Sequence, residues 1–116
     1  MPTPEQRKNW FERNEQAEKL EADGYDDDAL ALYEANADED CDLVFTYERM
    51  AAIYRRKERY DDEVRALERA LFLERRRGPT SQTVRLQRRI ETAHAVRERH
   101  RVQRREGRGR SSDEPV

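Results

Sequence analysis

Tyr47-Glu48-Arg49-Met50-Ala51-Ala52-Ile53-Tyr54, followed by Tyr60-Asp61-Asp62-Glu63-Val64-Arg65-Ala66-Leu67-Glu68-Arg69-Ala70-Leu71, decides how this chain folds. In the first segment Tyr47, Met50, Ala51 and Tyr54 recur at steps of three and one, and in the second Tyr60, Val64, Leu67 and Leu71 recur at steps of three and four. That is the spacing of one face of an α-helix. The charged Arg55–Arg59 between the segments breaks the pattern, so the reading is two helices joined by a short turn. The unit has an upstream copy. Phe11 and Phe45, Ala17 and Ala51, Asp27-Asp28 and Asp61-Asp62, Leu30 and Val64, and Glu34 and Glu68 all fall in a 34-residue register.

Composition sets the limits around this repeat. Leu, Ile, Val and Phe supply 19 of the 116 residues, while 43% are charged. So small an apolar fraction is half of the signature of a disordered chain, and the other half, a large net charge, is missing at −2. A folded, thinly cored single domain follows, with stability on the order of 5 kcal/mol. The near-neutral total conceals an asymmetry, because residues 1–54 carry −10 and residues 55–116 carry +8. Arg75 to Arg110 alone holds 13 Arg against 3 Glu. An acidic front and a basic back imply an interaction surface or attraction between the two ends.

Helix punctuation extends the pattern in both directions. Thr3-Pro4-Glu5-Gln6 reads as a capping box with proline in the first turn, predicting a helix from about Pro4 to Ala22 ended by Asp23-Gly24. Asp26 to Asp28 place negative charge at the start of a second helix, where its dipole favours it. The acidic turn Asp38 to Asp42 separates the repeats, with Asp42 expected to cap a third helix over about 43–57. A fourth spans about 60–76, and Gly78-Pro79 stops it. A fifth is expected from Ser81 to about 105, striped by Leu86, Ile90, Ala93 and Val96. Residues 107–116 read as a disordered tail after a single domain over 1–106.

The segment 47–71 resembles the tetratricopeptide repeat (TPR) family, whose helix-turn-helix unit has this 34-residue period. The signature places are filled by Tyr47, Met50, Ala51, Tyr54, Tyr60, Leu67, Ala70 and Leu71, with Glu63 where a small residue is usual and Glu58 where Gly often stands. Repeat one (about 10–43) keeps Ala17, Leu20, Gly24, Ala29 and Tyr33, but has Arg13 where a large apolar residue is expected. Cys41 replaces a frequent inter-repeat proline. The resemblance implies an all-α fold of two antiparallel helix pairs, repeat two spanning about 44–77, with a long C-terminal capping helix over about 81–105. That is a right-handed α-solenoid fragment, similar to small uncharacterised bacterial TPR proteins. A generic antiparallel bundle with accidental spacing is the competing reading.

The family likeness also implies a function. The first helix of each pair lines a concave groove that receives a segment of another protein, so the expected partner-binding residues are Phe11, Asn14, Glu18, Phe45, Glu48, Arg49, Ala52, Arg55 and Arg56. Helix five adds Gln82, Leu86 and Arg89. Glu18 and Glu48 oppose the family's clamp for a C-terminal carboxylate. Two repeats make a short groove, so a homodimer is an alternative to a foreign partner. A non-enzymatic adaptor or scaffold is the expectation.

The basic helix suggests a second possibility. Arg97, Arg101, Arg104 and Arg108 form one helical strip able to follow phosphates, and Arg85, Arg88 and Arg89 begin a similar stripe. This supports an alternative, a nucleic-acid-associated accessory protein, although no aromatic residue is interleaved for stacking. His94 and His100 are six apart, on different helix faces, so no metal site is expected. The acidic run Asp38–Asp42 lacks an EF-hand pattern. With no phosphate loop, nucleophile elbow or paired catalytic constellation, neither an enzyme nor a cofactor is expected. Lone Cys41 allows no internal disulfide, no apolar run exceeds about five residues, and Met-Pro-Thr-Pro-Glu-Gln has no signal-peptide core. A cytoplasmic protein with no membrane span is the consequent expectation.

Overall fold

Local chemistry starts the first helix where the sequence placed it. Thr3 Oγ1 accepts from the Gln6 backbone N–H at 3.1 Å, and Gln6 Oε1 accepts from the Thr3 N–H at 2.9 Å. The computed structural model of the chain describes residues 1–78 and 80–113, with side chains as far as Glu106. Five helices follow in order: α1 (Pro4–Ala22), α2 (Asp26–Asp38), α3 (Val44–Arg56), α4 (Tyr60–Arg75) and α5 (Ser81–Asp113). The fold is all-α, with no strand among the described residues, and each helix packs against the next in the chain.

Every connection turns on one left-handed residue: Gly24 (φ 85°), Asp40 (φ 55°), Glu58 (φ 58°) and Gly78 (φ 102°). Such a residue closes a helix by letting the following amide return to the last turn. Tyr25 N–H bonds Leu20 O at 2.8 Å, and Arg59 N–H bonds Tyr54 O at 2.9 Å, so Gly24 and Glu58 mark equivalent turns of the two repeats.

Small residues set the helix spacing. Ala17, Ala29, Ala51, Ala70 and Ala93 are fully buried, which lets the helix axes approach, and Tyr33, Ile53, Leu67 and Leu86 fill the space between them. Trp10, Tyr47, Met50 and Tyr54 complete one continuous core.

Two expectations are corrected. Asp42 does not cap α3; Leu43 is the N-cap and makes no side-chain bond. The Asp42 carboxylate instead takes Arg7 Nη1 at 2.9 and 3.0 Å, because a full cation attracts it more than helix amides do. Helix α5 also runs to Asp113 rather than stopping near 105, so residues 107–113 are helical in backbone, while 114–116 of the expected tail lie outside the described residues. Past His100 the helix meets little of the core. Val102 is 41% exposed, and helix-favouring Arg, Gln and Glu carry the helix to Glu106, whereas Gly107 and Gly109 beyond it do not favour helix.

Candidate functional site

A buried polar network fixes α1 against α2 and α3. Asn36, fully buried on α2, donates through Nδ2 to Trp10 O and to Asn14 Oδ1, both at 2.9 Å. Asn14 Nδ2 lies 2.9 Å from Thr46 Oγ1, and the Cys41 thiol is 3.4 Å from that same hydroxyl. Arg13 bonds Asn36 Oδ1 at 3.1 Å and Glu39 at 2.6 Å, while Trp10 Nε1 reaches Glu39 at 3.2 Å. This accounts for Arg13 at a place where a large apolar residue was expected. Its charge is met by Glu39, and a single nitrogen, Nη1, joins Glu39 to Asn36.

Ion pairs continue the fastening along α3. Glu21, almost entirely buried, takes both Arg49 and Arg56, and Tyr33 OH donates to it at 3.3 Å. Burial pushes the Glu21 carboxyl up, but hydrogen bonds from Arg49 and Arg56 outweigh that and hold it below its ordinary value. Asp26 is held low by its hydrogen bond from Arg56. Asp27 pairs with Lys57. Three carboxylates of the acidic front, Glu21, Asp26 and Asp27, are thus met by cations at α3 and its C-terminal end. The basic helix α5 pairs elsewhere: Arg85 and Arg89 with Glu48 on α3, at 2.6 and 3.1 Å, and Arg97 and Arg101 with Asp61 on α4, at 3.1 and 3.5 Å.

With those partners assigned, the residues left on the face formed by α1, α3 and α5 can be placed. Phe11 and Phe45 are 56% and 39% exposed. They line a cavity of about 520 Å³ with Leu43, Val44, Glu15, Glu18 and Arg77, and Asn14 reaches its floor. A second cavity of about 780 Å³ lies between α3 and α5, lined by Ala52, Arg55, Glu63, Val84 and the arginines of α5. Glu18, Phe45 and Arg49 share a smaller hollow beside the first.

Of the nine residues expected to meet a partner, Phe11, Glu18, Phe45, Arg49, Ala52 and Arg55 line these cavities. Asn14 is buried and committed to the network. Glu48 and Arg56 are engaged in ion pairs, as are the lining residues Arg49 and Arg55, so these four shape the face rather than lie free on it. Leu86, expected in the groove, is fully buried in the core, and Gln82 lies exposed outside both cavities. Arg89 does line the larger one. Val84, Arg85 and Arg88 were not assigned to the groove by sequence. The stripe at 85, 88 and 89 was visible, but not that it faces α3, because that depends on how α5 docks on the helices before it.

Comparison of the chain with protein-family models, with the curated proteins and with the solved structures finds no match.

The strip expected to follow phosphates is divided. Arg97 and Arg101 turn to Asp61, Arg104 is exposed beside them, and the Arg108 side chain lies outside the described residues. His100 packs on Tyr60 with ring centroids 4.9 Å apart. Among the described residues no group of His, Cys, Asp and Glu is placed to hold a metal, and no helix is long and apolar enough to cross a membrane.

Proposed function

We propose that this chain is a TPR-like adaptor or scaffold working in the cytoplasm, without catalysis, that holds a segment of another protein along the face of α1, α3 and α5. The observation that carries the reading is the pair Phe11 and Phe45, exposed side by side on α1 and α3 over a single cavity. Exposed aromatics in a concavity ringed by charge are what an interface anchor needs. The side-chain bonds joining α1 to α3 and α3 to α5 support a solenoid-like stack, since they connect alternate helices that run the same way. Phe72, the other exposed phenylalanine, is a weaker anchor because Arg69 and Arg76 lie over its ring at 5.4 and 6.0 Å.

Affinity capture at moderate salt tests the reading, with the eluate sized against the free protein. A partner retained by the native chain and lost with Phe11→Ala plus Phe45→Ala supports it. Both rings are exposed, so their removal leaves the fold intact. Retention unchanged by the double substitution excludes this face. A free protein that already elutes as a dimer, dispersed by the same substitutions, assigns the face to a second copy.

A further inference from the structure

Four guanidinium groups converge on the larger cavity. Arg55 comes from the last turn of α3, and Arg85, Arg88 and Arg89 come from the start of α5, at the spacing that brings residues to one helix face. Ala52, Val84 and Thr92 form the less polar wall. The lining holds one carboxylate, Glu63, which is buried and takes Arg55 at 3.3 Å. Glu48, one turn before Ala52, serves Arg85 and Arg89 through a single oxygen, Oε1. Each guanidinium has five donors, so most of theirs remain for a ligand. Arg88 is exposed and makes no ion pair among the described residues.

We propose that this cavity receives Asp or Glu side chains from an internal segment of a partner protein. Arg88 makes the first contact, while Glu48 holds Arg85 and Arg89 in the orientation a second carboxylate meets. The inference rests on the reading of the α1, α3 and α5 face as a docking surface. Charge complementarity selects the occupant, because the four cations face two carboxylates, Glu63 in the lining and Glu48 beside it, and a surplus of two positive charges remains. A nucleic acid fits less well. No aromatic ring lines the cavity for base stacking. Glu15 and Glu18 beside the neighbouring cavity confine the acidic part of the segment to the α3–α5 side.

The test uses the full chain and a fluorescein-labelled peptide with an amidated C-terminus, in which Glu pairs alternate with Leu and Ala. A counterpart carrying Lys for Glu and a single-stranded DNA oligonucleotide of matching charge serve as comparisons. The Glu peptide is expected to bind, the Lys peptide not. Arg88→Glu should weaken binding at least about tenfold. Its thermal midpoint should not change, since Arg88 is exposed and unpaired. Absence of Glu-peptide binding at low salt, indifference to Arg88→Glu, or equal affinity for the oligonucleotide overturns the proposal. So does a free dimer that Arg88→Glu disperses, which would give the cavity to a second copy. The two readings separate cleanly. Partner capture lost with the phenylalanine substitutions but indifferent to Arg88→Glu leaves the docking surface standing and removes only its acidic ligand.

Discussion

Asn36→Ala removes the residue through which α2 holds Trp10, Arg13 and Asn14 of α1, and its cost can be worked from the contacts. The side chain is fully buried and gives two bonds of 2.9 Å, to Trp10 O and Asn14 Oδ1. Neither acceptor is left wholly bare. A helix carbonyl keeps its intrahelical partner, and Asn14 Oδ1 keeps Thr46 Oγ1 at 3.1 Å. Arg13 retains Glu39 and water. Two net hydrogen bonds at about 1 kcal/mol each, with about 1 kcal/mol for the space left behind, give a loss of about 3 kcal/mol. For a core this thin, with stability on the order of 5 kcal/mol, that removes more than half of it. Urea unfolding followed by Trp10 fluorescence measures the loss, since Trp10 is the one tryptophan and is buried beside the network. A cycle with Asn14→Ala should show coupling of about 1 kcal/mol, because the two amides share a bond. A loss below about 1 kcal/mol, or full additivity, would refute the claim that the network fastens these helices.

Four further outcomes follow from other features of the fold. Glu58→Gly should stabilise the chain by about 0.5–1 kcal/mol, because Glu58 holds a left-handed turn that glycine adopts without a Cβ penalty; thermal denaturation reads it. Gly24→Ala, at the equivalent turn, should cost about 1 kcal/mol from backbone conformation alone, since an added Cβ would meet nothing within 4 Å. Glu21 and Asp26 sit below their ordinary values of 4.5 and 3.8, so their pairing stabilises the fold above those values and is lost as pH falls through the lower folded-state ones. Glu21→Gln should therefore flatten the acid limb of a stability-against-pH curve; an unchanged limb counts against the pairing. Ala51→Leu should cost about 1–3 kcal/mol in urea, because Ala51 is fully buried where helices meet and has no room for three more carbons.

Much of the scaffold is legible in the residues, because helix starts and stops are local chemistry. Thr3 and Gln6, Gly24, and the alanines at 17, 51 and 70 say where helices begin, turn and approach. The site is less legible, because exposure depends on neighbours far along the chain. Asn14 reads as a groove residue from its helix alone. It is buried because Asn36 and Thr46, 22 and 32 residues away, present matching groups. Leu86 reads as a groove residue too, until the twist of α5 turns it into the core. The charge asymmetry was visible, but not its pairing. The basic helix meets Glu48 and Asp61 within the second repeat, and the acidic front meets α3.

The amide network has one more consequence. Contacts between alanines and leucines are slippery, and neighbouring rotations of a helix about its axis differ little in energy. Hydrogen bonds among Trp10, Asn14, Asn36 and Thr46 are not slippery, because a small turn of α1 breaks several at once. They act as a detent on α1. Phe11 rides on α1 and Phe45 on α3, so the gap between the two rings is set before anything enters it. On the proposed reading, a partner would meet a jaw already fixed at its working width, and less of its binding energy would go to ordering the receptor.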